Sequence, residues 1–239
     1  MALITGAARR IGAVIAETLH LAGYNVIIHC HQSVEAADRL IHSLNQNRPD
    51  SAARVTGDLN QFSHYQSIIT EAHQKWGRLD ILINNASSFY PTPMGKTTEQ
   101  QWQDLLNTNL KAPFFLSQAA APFLQKNQGS IINIADIHGI KPLKNYPVYS
   151  IAKAGIIMLT KTLARELAPA IRVNAIAPGV TLPSEALQQD SNMLHTLKAR
   201  TLLDRFPKPE DIAQAMLFLI SQQAITGQTI NIDSGRSIR

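Results

Sequence analysis

The sequence is short of cysteine, of charge and of long apolar runs. Its one cysteine, Cys30, stands in an apolar stretch. No disulfide framework can form within the chain, which suits a reducing, cytoplasmic setting. No run of about 18 apolar residues occurs, so no membrane span is expected. The opening "MALITGAARRIGAVIAETLH" is broken by Arg9, Arg10, Glu17 and His20 and shows no small-residue cleavage pattern, so it does not read as a signal peptide. Low-complexity tracts are absent. Apolar residues at 45% and charged residues at 16% describe a folded globular chain and not a disordered one. The net charge is +5, but Lys and Arg are scattered, and the densest pair, Arg9-Arg10, lies in a glycine loop. Without a basic stripe, no nucleic-acid partner is expected. A phosphorylated cofactor or an anionic substrate accounts for the sign, and no metal is expected.

Short apolar runs alternate with stretches of helical spacing along all 239 residues. "ALIT" (2–5), "NVIIHC" (25–30), "ARVTGD" (53–58), "LDILINNAS" (79–87), "GSIINIAD" (129–136), "IRVNAIAPG" (171–179) and "QTINID" (228–233) read as strands. Between them, 10–23, 33–46, 65–77, 99–126, 149–168 and 209–221 read as helices. Ser33 opens the second as an N-cap, and Pro113 and Pro122 should bend or interrupt the fourth. Strands apolar on both faces, separated by helices, predict a doubly wound, Rossmann-type α/β fold with about seven parallel strands. No boundary divides it, so 1–239 reads as one domain. Residues 180–207 lack a clear period and are expected to form a substrate-binding loop or lid.

"TGAARRIG" follows the first strand and opens the first helix. There a turn can cradle a pyrophosphate with backbone N–H groups. Its glycines are Gly6 and Gly12, and Arg10 stands where a middle glycine might be expected. A dinucleotide binder that prefers NAD carries an acid after the second strand. Here that segment reads "IIHCHQSVEAA", with no acid before Glu35. His31 and Ser33 can bond a 2′-phosphate, and Arg9 adds charge from the neighbouring loop, which favours NADP(H). His29 and His31 read equally well as groups beside that phosphate or as surface or satisfied core histidines. Asp58 either bonds an adenine amino group or caps the next turn. "INNAS" (83–87) ends at the same edge of the sheet.

Tyr149 and Lys153 are spaced to share one face of a helix. An ammonium beside the phenol is expected to lower its pKa toward neutrality. With the glycine loop, "NNA", Asn109 and "APG", the pair makes a coherent site. The stretches "TGAARRIG", "NNAS", "NTNL", "YSIAK", "VNAIAPG" and "ITGQTINIDSG" closely resemble the short-chain dehydrogenase/reductase family over essentially the full chain. That resemblance implies a tetrad of Asn, Ser, Tyr and Lys. Asn109, Tyr149 and Lys153 match it, and Asp136 stands where the serine is common. A serine hydroxyl donates to a carbonyl oxygen as it gains charge. An ionised aspartate cannot donate and would repel that oxygen. It suits instead a substrate that presents N–H donors, and with Tyr149 it can pass a proton to a ring nitrogen as a coupled pair.

Arg10, "NNASSFYPTP" and Asp136 ahead of Tyr149 and Lys153 are similar to the pteridine reductase branch of that family. The resemblance implies NADPH-dependent reduction of pterins and often of dihydrofolates. It puts Phe89 on the substrate ring, Ser87 and Arg10 near pterin and cofactor phosphate, and Asp136 with Tyr149 at the proton-transfer step. Lys153 would hold the nicotinamide ribose, and Asn109 would position a relay water. Ile11, Leu59, Asn85, Ala86, Pro178, Gly179 and Val180 fall in the matching cofactor stretches. Branch members can carry a basic residue where this chain has Gln32, which leaves the NADP preference on Arg9, His31 and Ser33. The resemblance also implies a homotetramer. A general carbonyl or 3-oxoacyl reductase is the alternative enzyme, and a catalytically idle NADP-binding sensor the alternative from another class.

Overall fold

Successive strand residues point to opposite faces, so a strand buried on both sides needs apolar residues at every position. In the computed structural model of the chain, which describes residues 1–181 and 191–239, the central strands are buried on both sides and apolar at most positions. The strands are β1 (Ala2–Ile4), β2 (Val26–Cys30), β3 (Ala52–Thr56), β4 (Ile81–Asn84), β5 (Ser130–Ile134), β6 (Arg172–Pro178) and β7 (Thr229–Ile232). They pair in parallel in the order β3-β2-β1-β4-β5-β6-β7. Leu3, Ile27, Leu82, Ile131 and Val173 enter the core on one face, with α3 (His64–Trp76), α5 (Ala112–Gln125) and α6 (Pro147–Leu167). Ile4, Ile28, Ile83, Ile132 and Ile176 enter the other, with α1 (Arg10–Leu21), α2 (Val34–Asn47) and the helix over Pro209–Ser221. The doubly wound fold read from the sequence is the fold observed.

The chain reverses winding direction between β1 and β4, which are neighbours in the sheet. A crevice opens at the carboxyl ends of the strands at such a switch point. Thr5 holds its two sides together. Its hydroxyl accepts from the Asn85 and Ala86 N–H groups at 2.9 and 3.0 Å. Deeper in, Asn84 Nδ2 donates to Asn133 Oδ1 at 2.8 Å, and Asn133 Nδ2 donates to Thr160 at 3.0 Å. This buried polar chain ties the ends of β4 and β5 to α6.

Some boundaries differ from expectation. The long helix read over 99–126 is α4 (Glu99–Leu106), a wide π turn (Asn107–Lys111) and then α5. The interruption precedes Pro113, which sits in the first turn of α5 where no N–H is needed. Pro122 lies inside α5 without ending it. Ser33 occupies the N-cap position of α2 but makes no side-chain cap bond. The segment 180–207, read as an irregular lid, contains α7 (Ser191–Lys198), followed by α8 (Pro209–Ser221). Residues 182–190 of that expected lid lie outside the described residues. Among the described residues, no helix is long and apolar enough to cross a membrane.

Candidate active site

The glycine loop is shaped by close approach. Gly6 has φ +62°, and a Cβ on it would meet the Ala86 Cα at 2.9 Å. A Cβ on Gly12 would stand 2.6 Å from Asn85 Nδ2 and 2.7 Å from Gly6 O. Only glycine fits either place. Arg10, where a middle glycine was expected, adopts φ 56°. This left-handed conformation is costly for a residue with a side chain. Such strain is characteristic of functional loops. The N-cap of α1 is Arg9, without a side-chain cap bond, and the first turn holds no acid. The positive end of the helix dipole therefore borders the crevice without a carboxylate from its own first turn, an arrangement suited to phosphate.

His29 clamps this loop from below. It is buried on β2, with its Nδ1 3.3 Å from the Gly6 N–H and its Nε2 3.2 Å from Gly57 O. Only the neutral Nε2–H tautomer satisfies both partners. Burial lowers its pKa to about 4, with the bond to Gly57 opposing and nearby His31 adding a little. His29 is thus a satisfied buried histidine that also lines the cleft. His31, two residues on, is exposed.

The cleft above has a volume of about 430 Å³. Gly6, Arg9, Arg10, Ile11, Gly12, His31, Asp58, Leu59, Asn85, Ala86 and Ser87 line it, all expected from the sequence. Asn60, Ser88 and Thr108 line it too and were not foreseen. A hollow of about 270 Å³ adjoins it, where Arg9 and Ser33 meet His31 and Gln32. Asp58 does cap the next turn, accepting the Asn60 N–H at 2.9 Å. Asn85 turns its amide inward, donating to Thr5 O and Gly6 O at 2.8 and 3.2 Å. Pro178 ends β6, and the Gly179 N–H pairs with Ile232 O on β7. Pro178, Gly179 and Val180 do not line the cleft. A backbone cradle, a helix N-terminus and a cationic hollow without an acid in its lining fit a dinucleotide bearing an extra phosphate.

Asp136 N-caps a short 3-10 turn after β5, and its Oδ1 accepts the His138 N–H at 2.7 Å. Its Oδ2 accepts the Tyr149 hydroxyl at 2.8 Å. Tyr149, 5% exposed, lies in the first turn of α6. The sequence predicts a phenol pKa lowered by Lys153, and the structure overturns this. The Tyr149 pKa is raised well above its ordinary value, first by burial, then by the charge and hydrogen bond of Asp136, with Ser87 partly opposing. Lys153 Nζ is 5.6 Å from the phenol ring centre and donates to Ile134 O at 2.8 Å. Burial lowers its own pKa to about 8, against the pull of Asp136. The phenol is thus held protonated at neutral pH.

The π turn places Asn109 beneath the site. Its Oδ1 accepts from Ser87 at 2.7 Å, and its Nδ2 donates to Ser88 O and Leu105 O, both at 2.9 Å. The Asn109 side chain therefore fixes the "NNASS" loop. Phe89, 55% exposed, lies edge-on to Tyr149 at 4.8 Å and parallel to Tyr146 at 4.6 Å. Tyr146 was missed, although its three-residue spacing from Tyr149 was visible. The two rings make an apolar shelf beside a carboxylate and a protonated phenol. Such a site can accept N–H donors from a flat heterocycle and deliver a proton to it.

Comparison with known proteins gives a consistent picture. A family model described as Enoyl-(Acyl carrier protein) reductase matches residues 6–237. Pteridine reductase 1 of Leishmania tarentolae is 34% identical over 283 residues, spanning 100% of this chain and 96% of the relative. The 3-oxoacyl-(acyl-carrier-protein) reductase FabG of Staphylococcus aureus is 36% identical over 238 residues, spanning 98% of this chain and 96% of the relative. FabG of Thermotoga maritima is 36% identical over 239 residues, with the same two shares of 98% and 96%.

Proposed function

The chain belongs to the short-chain dehydrogenase/reductase family, whose reductases use NAD(P)H, and from that premise we propose that it is an NADPH-dependent reductase of pterin C=N bonds. The observation that carries this reading is the Tyr149 hydroxyl bonded to the Asp136 carboxylate at 2.8 Å. NADPH, held along the glycine loop and the Arg9, His31 and Ser33 hollow, supplies the hydride. Asp136 accepts N–H bonds from the ring and fixes its orientation. Each carboxylate oxygen keeps a lone pair beyond its present partner. Phe89 and Tyr146 support one face of the ring and exclude water. Tyr149 gives its proton to the ring nitrogen, and a proton from solvent replaces it, passed to the phenolate oxygen along the Asp136 carboxylate that the hydroxyl faces. Lys153 holds positive charge near the phenol as it loses its proton, and binds the ribose hydroxyls. Dihydropterins are the first substrates, and dihydrofolate is a further one.

A homotetramer is part of the reading. Phe114 on α5 and Ile151 and Met158 on α6 are exposed apolar residues that a subunit contact would cover, which supports it. The chain is read as one cytoplasmic domain.

A 3-oxoacyl reductase is the second reading, favoured by the FabG relatives of similar identity. The test is NADPH oxidation with dihydrobiopterin, dihydromonapterin, dihydrofolate and a β-ketoester side by side. Turnover of the pterins without the ketoester is the expected result. Turnover of the ketoester alone would overturn the proposal. Cofactor binding without any turnover would leave an idle sensor.

A further inference from the structure

The loop that carries Phe89 is pinned from both sides. On one side, Asn109 Nδ2 donates to Ser88 O at 2.9 Å. On the other, the Tyr90 hydroxyl donates to Asp104 Oδ2 at 2.7 Å, with Gln101 O at 3.3 Å a second, longer acceptor of the same proton. Burial and then the bond to Asp104 push the Tyr90 pKa up to about 12, so this donor keeps its proton. Asp104 stands on α4, whose first turn is locked by a capping box of Thr98 and Gln101. Phe89 is 55% exposed, so its place rests on its two ring neighbours and on these anchors, and not on burial in the core.

The other oxygen of Asp104 serves the cofactor cleft. Asn60 Nδ2 donates to Asp104 Oδ1 at 3.1 Å. Asn60 lines that cleft beside Asp58 and Leu59. Its Oδ1 is buried and has no hydrogen-bond partner among the described residues. The orientation of the amide therefore rests on Asp104, since turned over it would set its oxygen against the carboxylate. One carboxylate thus holds a donor from the cofactor side, 44 residues away in the chain, and a donor from the substrate side, 14 residues away.

We propose that Asp104 is a positioning residue through which the two ligands assist each other: a dinucleotide whose adenosine end settles at Asn60 steadies the Asp104 carboxylate, and with it Tyr90 and the Phe89 ring, so pterin binding tightens. The inference rests on the NADPH and pterin reading and adds a coupling within that site. Coupling is a free energy shared between two sites, so the pterin must tighten binding of the adenosine end by the same factor. Contact between nicotinamide and pterin would also make the two ligands assist each other. An adenosine fragment without the nicotinamide removes that route and leaves the one through Asn60, Asp104 and Tyr90.

The test measures binding and not turnover. Biopterin is titrated calorimetrically into the full chain, alone and with saturating adenosine 2′,5′-bisphosphate, and the bisphosphate is titrated with and without biopterin. In wild type each ligand is expected to tighten the other about fivefold, the low end of couplings between sites. Asp104→Asn keeps one acceptor for two donors, so the factor should fall to about one. Tyr90→Phe cuts the substrate branch alone and should do the same, while the bisphosphate by itself binds as in wild type. A merely structural loss would weaken the ligands singly and leave the factor in place. An unchanged factor in either folded variant would therefore overturn the proposal. A wild-type factor of one, with both ligands bound, would overturn it too and leave the NADPH and pterin reading intact. A wild-type protein that binds neither ligand would overturn that reading itself.

Discussion

Replacing Asp136 with serine exchanges an acceptor for a donor at one point of the site. Serine can still cap the 3-10 turn, since its hydroxyl can accept the His138 N–H that Asp136 Oδ1 accepts at 2.7 Å. The fold and the apolar shelf should therefore persist. What is lost is the carboxylate beside the Tyr149 hydroxyl, 2.8 Å away. A hydrogen bond to a charged group contributes about 1.5–3 kcal/mol. Losing one such bond to the pterin ring should lower kcat/KM by about ten- to a hundredfold. The same change removes two of the causes that raise the Tyr149 pKa, so the phenol becomes more acidic. A donating hydroxyl where a carbonyl oxygen gains charge is worth about a hundredfold in rate. Ketoester reduction should thus rise as pterin reduction falls. The assay is NADPH oxidation by wild type and Asp136→Ser with a dihydropterin and a β-ketoester, with Tyr149→Phe as the inactive control. Unchanged pterin turnover in a folded Asp136→Ser protein would refute the reasoning.

Acid should weaken the fold through His29. The unfolded imidazole takes a proton near 6.5 and the folded one near 4, so between these values the unfolded state holds more protons. Stability is then lost as pH falls through that window, by about 3 kcal/mol at the bottom of it. Urea unfolding at several pH values should show this slope in wild type and a shallower one in His29→Gln. Gly12→Ala should cost about 2 kcal/mol, because the backbone of the glycine loop cannot move aside for a Cβ. Thermal melts would show the loss, and weaker nucleotide binding should accompany it. Phe89→Ala should raise the pterin KM about three- to tenfold with kcat held, the scale of one aromatic contact, in the same steady-state assay.

Much of the site was legible because its elements are local. The Tyr149 and Lys153 spacing, the glycine loop and the apolar strands each follow from a short stretch of chain. The harder parts depend on residues far apart in sequence. His29 could be read as a phosphate-side or a structural histidine until β2 was seen to pass under Gly6 and beside Gly57. Asn85 lines the cleft where the motif put it, but that its amide holds the carbonyls of Thr5 and Gly6 across the switch point needed the fold. Phe89 was found through its motif, while Tyr146 went unremarked because its spacing from Tyr149 does not show that the Phe89 ring stacks on it.

The lysine shows the division most clearly. Spacing alone put Lys153 beside Tyr149 and suggested an acidified phenol. The fold buries both groups, sends Nζ to Ile134 O and sets a carboxylate on the hydroxyl, so the phenol keeps its proton. By itself the sequence determined the doubly wound sheet, the loop at the end of β1 and the candidate side chains of the site, because periodicity and turn chemistry act over a few residues. Only the tertiary structure decided which of those side chains are charged, since desolvation and Coulomb interaction depend on distance through space and on the water excluded between them.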